Sequence, residues 1–416
     1  MRNVYVIGVG MTRFGKHMER NMKSLATEAV DAALKHAGLE RKNIQVAAVG
    51  NAYQGLVTGQ ESIRGQVVLR SMGIGDIPVT NVENACASSS TAAHVMWMDI
   101  ALGLHDVGLA LGMEKMYMED RQKRLSLFSS SMDIEIMEQV RKMMKDLAAK
   151  SEKPKGADDA GQSEGGEKKR SAFMDVYATG ARMWMDKYGL TQRQLAIVAS
   201  KNHTNGSLNP YAQYNTPMTV EEVLAAPPVA FPLTRPMCSP VGDGAAAAIF
   251  CSEDYLKKFG PAKPVKIRGI ALGSGRDRGW DEPDLGVRLS SKVYESAGLG
   301  PEDIDVVEVH DASAWSEIRA YEDMGFCGEG QGGAFAEAGH SQITGKMPVN
   351  TSGGLEAKGH PVGATGVAQI SEIVWQLRGE AGKRQVQNPR IGMCENGGGN
   401  IGIEEASMVI TILERV

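Results

Sequence analysis

The sequence of 416 residues is poor in several features that would assign it to a specialised class. Aromatic residues make up only 6%, and 45 basic against 50 acidic side chains leave a net charge of −5, which argues against nucleic-acid binding as the main function. No apolar run reaches the roughly 18 residues that span a membrane. The amino-terminal MRNVYVIGVG has no signal-peptide pattern and is predicted to be a strand. We expect a soluble cytoplasmic protein that binds neither nucleic acid nor membrane.

Cysteine is also scarce. The five cysteines are widely spaced, odd in number and include no CxxC pair; they lie at positions 86, 238, 251, 327 and 394. This spacing argues against a disulfide framework and against a zinc cluster, so we expect free thiols and no metal site. With 42% hydrophobic residues, a chain of this length can bury a large core and is predicted to form two or three domains.

Strand-like and helix-like segments alternate along the chain, which predicts an α/β fold with buried sheets. Residues 37–49 are echoed by residues 297–309: Ala-Gly-Leu, one Ile and two Val recur at a constant offset of 260. Each copy predicts the end of a helix, a glycine cap, a polar turn and a strand. The sequence therefore predicts a duplicated fold with two similar halves.

A polar segment lies between the two halves. Residues 151–170, SEKPKGADDAGQSEGGEKKR, are charged and glycine-rich. This composition is typical of a solvated surface loop. A lid over a substrate pocket is the alternative interpretation of the same residues.

Cys86 is the candidate nucleophile. It lies in NACASSS, residues 84–90, between the predicted strand Pro78–Val82 and an apolar helical run. Free N–H groups and the positive partial charge of a helix amino terminus lower the pKa of a thiol and favour the thiolate, the form that attacks carbonyl carbons. A buried, unreactive thiol is the alternative.

Three further candidates lie in loops rich in small residues. His310 follows the predicted strand Val306–Val309, and polar residues at the carboxyl ends of strands commonly form the sites of α/β folds. His360 lies in a glycine-rich stretch that precedes a helical run and is a candidate base for a thiol. Cys394 stands before three consecutive glycines, whose backbone amides suggest an oxyanion site. Two cysteines and two histidines in such loops indicate thiol chemistry at an acyl group.

These stretches occur in the order found in the thiolase family, which the chain resembles over nearly its whole length. The motif His-Asp-Ala at 310–312 and residues 232–250 and 375–386 resemble the sterol-carrier-protein-type, acetyl-CoA acetyltransferase-like branch. The resemblance implies two βαβαβαββ halves in a five-layered αβαβα arrangement with an inserted loop domain. On this basis residues 1–120 and 230–255 form the N-terminal half, 121–229 the inserted loop or lid domain, and 256–416 the C-terminal half.

The resemblance also implies catalytic roles. Cys86 would be acylated, and His360 would deprotonate it and help to stabilise the enolate oxygen. His310 would replace an asparagine that holds a water in the oxyanion hole. Cys394 would protonate the departing enolate carbon and then deprotonate the incoming CoA thiol.

Backbone donors and the CoA contact follow from the same resemblance. The amide of Cys86, with an amide near Gly397, would bind the oxyanion at the acylated carbon, and Ser239 matches a serine that lies against CoA. Two departures from the family pattern stand out: Glu-Asn separates Cys394 from its glycines, one residue more than usual, and Ala312 occupies a position where part of this branch has its acid/base cysteine. Cys394 would then have to supply that function.

The implied activity is CoA-dependent thiolytic cleavage of a 3-oxoacyl-CoA, with CoA as co-substrate and no permanently bound cofactor. Whole-chain similarity suggests 2-benzoylsuccinyl-CoA, cleaved to benzoyl-CoA and succinyl-CoA, as one substrate. The alternatives are a Claisen-condensing 3-oxoacyl synthase, a retro-aldolase of the same fold, and a non-catalytic acyl-CoA or lipid carrier; aldolase relatives lack the nucleophilic cysteine. The resemblance also implies a homodimer or tetramer, with a small zinc-ribbon/OB-fold partner protein that would hold its own zinc.

Overall fold

The computed structural model describes residues 1–136, 139, 142, 171–260, 263–279 and 282–416. The polar run at 151–170, interpreted above as a loop or a lid, lies outside the described residues. None of the described helices combines the length and the apolar character needed to cross a bilayer. All five cysteines are free thiols.

Strands and helices alternate, as the apolar pattern predicts. The strands are β1 (Val4–Met11), β2 (Val46–Gly50), β3 (Val79–Val82), β4 (Val107–Glu114), β5 (Pro228–Ala230), β6 (Leu233–Thr234), β7 (Gly244–Ser252), β8 (Val265–Ser274), β9 (Val306–Glu308), β10 (Ile391–Gly398) and β11 (Ser407–Arg415). The described helices are α1 (Met22–Ala37), α2 (Gln54–Thr58), α3 (Arg64–Ser71), α4 (Ser88–Ala101), α5 (Arg121–Ser126), α6 (Ala172–Tyr188), α7 (Gln192–Ser207), α8 (Val220–Ala225), α9 (Glu253–Phe259), α10 (Leu285–Ala297), α11 (Ala314–Asp323), α12 (Gly332–Glu337) and α13 (Thr365–Arg378).

The main sheet has the strand order β3-β2-β4-β7-β1-β8-β11-β10-β9. In the first half, β2 is parallel to β3 and β4, while β7 is antiparallel to both β4 and β1. The second half repeats this order in reverse: β11 is antiparallel to β10 and β8, β10 is parallel to β9, and Val349 forms a parallel bridge to Val307 where the first half has β3. The halves meet where β1 pairs with β8 at Tyr5 and Val6. The predicted duplication is confirmed.

The echoed residues form the same elements in both halves. Helix α1 ends at Gly38 with φ 69°, and α10 ends at Gly298 with φ 65°. A short 3₁₀ turn follows each cap, at Arg41–Asn43 and Pro301–Asp303, and leads into β2 and β9. The left-handed backbone at both caps explains why each copy has glycine there.

The core lies in layers. Helices α1 and α3 pack on the outer face of the first half, α4 and α13 pack against each other between the halves, and α10 covers the outer face of the second half. All 14 residues of α13 are buried because both halves enclose it. The α/β thiolase-type arrangement predicted from the sequence is confirmed. The domain boundaries remain predictions; β5 spans the one placed at 229/230.

Candidate active site

One large cavity, about 950 Å³ in volume, is lined by four of the predicted site residues: Cys86, His310, His360 and Ser239. These residues come from both halves. Cys86 lies in the turn after β3 and His310 follows β9, so the cavity lies at the carboxyl ends of these strands. This is the edge at which open α/β sheets place their ligands.

Cys86 lies where the sequence predicts, between strand β3 and helix α4, in the 3₁₀ turn Ala85–Ala87. Burial raises the pKa of its thiol to about 12, although backbone hydrogen bonds from Gly399 and from Cys86 itself act in the opposite direction. The expected shift toward the thiolate is therefore wrong for the resting protein, because desolvation outweighs the amide donors. A nucleophilic attack by this sulfur would therefore require a base to remove the thiol proton.

His360 is the partner that can take this proton. Its Nε2 atom lies 3.2 Å from the Cys86 sulfur, and its Nδ1 atom lies 2.7 Å from the hydroxyl oxygen of Thr365. The Thr365 hydroxyl donates its only proton to the carbonyl of Pro361, at 3.1 Å, so its oxygen must accept from Nδ1–H. We therefore assign the Nδ1–H tautomer, which leaves the Nε2 lone pair facing the thiol.

The dyad is electrically neutral at rest. Burial holds the pKa of His360 well below its ordinary value, with smaller contributions from His310 and Lys358. A neutral imidazole and a neutral thiol 3.2 Å apart can exchange a proton when an acyl group approaches the sulfur. Thr365 belongs to the motif that marks His360, but sequence reasoning did not give it a role.

His310 lies beside the dyad. Its ring centroid is 5.2 Å from that of His360, and burial lowers its pKa to about 4, against a backbone hydrogen bond with Gly397. Within the described part of the chain, its buried Nε2 atom has no hydrogen-bond partner. The ring is neutral and has one nitrogen free for a water or a substrate oxygen.

The end of β10 reaches the nucleophile turn because glycines leave room for it. A Cβ atom at Gly398 would clash with the carbonyl oxygen of Asn84 and the amide nitrogen of Ala87, and Gly399 has φ 68°. This close approach brings the Gly399 amide to the Cys86 sulfur. The amide near Gly397 that the structure brings to the sulfur is that of Gly399; its role as an oxyanion donor stays a prediction.

The expected placement of Cys394 is wrong. Its side chain is 3% exposed and packs in the apolar core between the two halves, away from the described cavity lining. Successive side chains of a strand point to opposite faces, and it is the next residue, Glu395, that lines the cavity. The only sequence signal for Glu395 is a carboxylate inside an otherwise apolar and glycine-rich strand, since glutamate is seldom buried without a function.

Glu114, at the end of β4, holds the surroundings of the site together. Its carboxylate accepts hydrogen bonds from the side chain of Asn51 and from the backbone amides of Ala52, Tyr53 and Gly363. Gly363 belongs to the loop of His360. Burial raises the pKa of Glu114 to about 7 despite these donors.

The cavity wall combines aromatic rings with carboxylates. Trp184 of α6 packs edge-on against Trp315 of α11, with Tyr177 beside it. The acidic side chains of the wall outnumber the basic ones; they are Asp186, Glu282, Asp284, Glu322, Asp323, Glu329, Glu395 and Glu405, against Lys187, Arg278 and Arg319. Each of these cations already has an acidic neighbour, as when Arg319 contacts Asp284 at 2.7 Å.

A metal ion would find one possible donor set among the described residues. The ligand atoms of Cys86, His310 and His360 lie within 4.8 Å of one another. The Cys86 sulfur and His360 Nε2, however, lie 3.2 Å apart, so the two atoms already share the thiol proton in a hydrogen bond. The arrangement suits proton transfer and oxyanion binding better than cation binding.

Comparison with known proteins identifies the family. Residues 4–254 match the thiolase N-terminal domain, and residues 285–414 match a thiolase C-terminal domain-like model. Among relatives, the acetyl-CoA acetyltransferase of Methanothermobacter thermautotrophicus is 39% identical over 97% of this chain and 98% of its own length. The benzoylsuccinyl-CoA thiolase subunit BbsB of Thauera aromatica is 35% identical over 96% of this chain and 95% of its own length. Sterol carrier protein 2 of Oryctolagus cuniculus is 35% identical over 98% of this chain and 71% of its own length.

A solved structure shares the fold. The structure described as "Ltp2-ChsH2(DUF35) aldolase" matches with a TM-score of 0.76 at 23% identity, covering 99% of this chain and 98% of that one. The family and branch predicted from the sequence motifs are confirmed by the sequence relatives. The chain belongs to the thiolase family and is a CoA-dependent acyltransferase.

Proposed function

We propose that this chain cleaves a 3-oxoacyl-CoA with CoA through a covalent acyl-Cys86 intermediate. The observation that supports this most directly is the 3.2 Å contact between the Cys86 sulfur and His360 Nε2, with Thr365 fixing the tautomer. In the first step the sulfur attacks the 3-carbonyl carbon while its proton moves to Nε2. The alkoxide that forms meets the amides of Cys86 and Gly399.

Collapse of the tetrahedral intermediate breaks the bond between carbons 2 and 3. The electron pair passes to the thioester of the leaving fragment as an enolate, which must be stabilised as its charge develops. Protonated His360, together with a water held by His310 Nε2, faces that oxygen. Preorganised donors of this kind each contribute roughly 3–4 kcal/mol to the transition state.

The second half-reaction returns the acyl group to CoA. The CoA thiol loses its proton and attacks the Cys86 thioester, and the same two amides bind the new oxyanion. Ser239 lines the cavity and is the proposed contact for CoA. The sulfur of Cys86 then leaves and recovers its proton from His360.

The composition of the wall supports an uncharged, hydrophobic acyl group. Aromatic side chains of α6 and α11 provide an apolar surface, whereas the basic side chains of the described wall are already paired with acids. A free carboxylate on the acyl chain would meet net negative charge. In the sequence-based candidate 2-benzoylsuccinyl-CoA, the group transferred to Cys86 is an uncharged benzoyl group and the free carboxylate leaves with succinyl-CoA. We therefore propose an aromatic 3-oxoacyl-CoA with no carboxylate on the transferred acyl group.

Intact-protein mass spectrometry tests the covalent intermediate. Acetoacetyl-CoA and benzoylacetyl-CoA should each add an acyl mass to the wild-type chain, and the Cys86→Ala variant should show none. Cys238→Ala is the matched control, because Cys238 lines the same cavity but its thiol donates to the carbonyl of Thr234, at 3.6 Å, instead of to a histidine. An adduct that persists in Cys86→Ala and disappears in Cys238→Ala would contradict the proposal.

A condensing synthase of the same fold is the second candidate. Among the described residues, Cys86 is the cysteine that meets His310 and His360, and Cys394 does not join them, so the second thiol expected for thiolysis is missing from this group. A decarboxylating synthase would convert malonyl-CoA on an acylated enzyme. The two functions separate when acetoacetyl-CoA with CoA is compared with acetyl-CoA plus malonyl-CoA, since only the second pair releases CO₂.

Partners remain a proposal. The solved relative is named with a DUF35 component, and BbsB is named as a subunit, which supports the sequence-based expectation of a small zinc-ribbon/OB-fold partner. We also propose that the chain forms a homodimer or tetramer, as the family resemblance implies. Light scattering of the purified chain, alone and after co-expression with a candidate partner, measures both.

A further inference from the structure

Thiolytic cleavage needs a second proton-transfer group besides His360, because a carbanion-like carbon must be protonated and a CoA thiol deprotonated. Cys394, the residue expected to do this, faces the apolar core. We propose that the carboxyl group of Glu395 is this acid/base. The assignment rests on the proposed function and names one of its catalytic residues.

The carboxyl group is held beside the reacting centre. Its Oε2 atom accepts a hydrogen bond from the backbone amide of His310 at 2.8 Å. Glu395 lines the same cavity as Cys86 and His360. A Cβ atom added to Gly397 would lie 3.2 Å from His310 Nδ1, 3.2 Å from the Cγ of Glu405 and 3.7 Å from Glu395 Oε1, so these three side chains converge around one glycine.

The surroundings of Glu395 favour the protonated form. Burial raises its pKa to about 8, and the neighbouring Glu405 acts in the same direction against the backbone donors of His310 and Gly397. The other titratable groups around Glu395 and Glu405 in the described part of the chain are His310, Asp284, Asp323, Glu404, Arg319, Tyr177, Cys86 and Cys394. Tyr177 of α6 and Arg319 and Asp323 of α11 line the cavity. At neutral pH a buried carboxylic acid therefore stands where a proton donor is needed.

The proton balance closes over one turnover. When the bond between carbons 2 and 3 breaks, the enolate carbon takes the proton of Glu395, and the released acyl-CoA leaves a carboxylate behind. The carboxylate then accepts the proton of the incoming CoA thiol, and the thiolate attacks the Cys86 thioester. Glu395 ends the cycle protonated, as it began.

Deuterium exchange isolates this step. In D₂O the wild-type chain should exchange the carbon-2 hydrogens of acetyl-CoA, which mass spectrometry of the CoA ester measures. We expect Glu395→Gln to slow this exchange by at least about 100-fold. Acylation of Cys86 by an activated thioester such as S-acetyl thiophenol should change less than about tenfold, since that leaving group needs no proton. Glu395→Asp, which keeps a carboxyl group, should recover part of the exchange.

Cys394→Ala tests the competing assignment directly. Exchange within about fivefold of wild type supports Glu395, whereas loss of exchange in Cys394→Ala with retention in Glu395→Gln would overturn the assignment. Unfolding curves of all variants verify that each is folded. If the wild-type chain is neither acylated nor able to exchange, the proposed function itself fails.

The pH profile gives an independent readout. Since the cleavage step needs the protonated acid, the rate of thiolysis should fall as the pH rises above about 8. This fall in rate above about pH 8 should be missing from the residual activity of Glu395→Gln and present in Cys394→Ala. If the wild-type chain and both variants show the same fall in rate, another group causes it, and the result counts against Glu395.

Discussion

The two halves of the molecule share a fold but present different chemistry at equivalent places. Helices α4 and α13 lie side by side between the halves, and each follows a turn that carries one member of the dyad. Cys86 precedes α4 by two residues, and His360 precedes α13 by five. The duplication thus yields one site made jointly, in which neither half holds both thiol and base.

Two buried glutamates on corresponding strands show how burial can serve two purposes. Glu114 lies on β4 and Glu395 on β10, the strand that takes the place of β4 in the second half. The two positions differ in register, since the strand pairings align Glu114 with Gly398 and Leu111 with Glu395. Glu114 accepts hydrogen bonds from four donors of surrounding segments, whereas Glu395 has a side that faces the cavity. Burial raises the pKa of both, but only Glu395 has access to a substrate. Exposure to the cavity, and not the pKa, therefore distinguishes the proposed acid/base Glu395 from the buried Glu114.

Removal of the base should have the largest effect on the joint site. We expect His360→Ala to slow acylation of Cys86 by about 10²- to 10⁴-fold, because the substitution removes the imidazole nitrogen 3.2 Å from a thiol whose pKa is about 12. Rapid-quench mass spectrometry measures the rate. Added imidazole should restore part of it; a rate equal to wild type without imidazole would show that the halves do not share the dyad.

Loss of the tautomer-fixing hydroxyl should have an intermediate effect. Thr365→Val keeps the shape of the side chain but removes the oxygen that accepts from Nδ1–H. We expect acylation to slow by about 10- to 100-fold, as a misdirected base aligns poorly with the thiol. Thr365→Ser retains the hydroxyl and is the matched control. Equal rates for Val and Ser would mean that packing alone orients His360.

Substitutions of Glu114 and Glu395 should have different effects, the first on stability and the second on proton transfer. In the wild-type chain, backbone N–H groups donate to both carboxylate oxygens of Glu114. Glu114→Gln replaces one of these oxygens by an NH₂ group, which cannot accept, so we expect the free energy of unfolding to fall by about 1–3 kcal/mol. Glu395→Gln should change stability less while slowing proton transfer. Urea unfolding monitored by circular dichroism at pH 8 compares them. A larger loss of stability in Glu395→Gln would contradict the distinction.

The sequence predicts much of this molecule because its signals are local. Gly38 and Gly298 mark equivalent helix ends, and the small residues around Cys86 indicate the strand-to-helix turn that the structure contains. The meeting of Cys86, His310 and His360 in one cavity was likewise expected from the family motifs. Each of these features depends on residues close to one another in the chain or on a pattern kept within the family.

Other features of the site could not be predicted, because they depend on strand register and burial in the folded chain. Strand β10 is buried along nearly its whole length, so apolar and polar residues do not alternate and nothing in the sequence tells whether Cys394 or Glu395 faces the cavity. The choice of Gly399 over Gly397 as amide donor depends on how far β10 extends past Asn84. The direction of the Cys86 pKa depends on desolvation, which only the folded chain reveals.

The complete enclosure of α13 has a consequence for how the base is held. An ordinary surface helix can absorb a substitution by shifting a side chain into water, but α13 has no residue free to do so. Any change of volume along it must be taken up by the neighbouring sheets or passed toward Thr365, the first residue of the helix and the contact of His360. The orientation of His360 therefore depends on the packing of both halves. A mutation far from the cavity can shift helix α13 and so displace the imidazole.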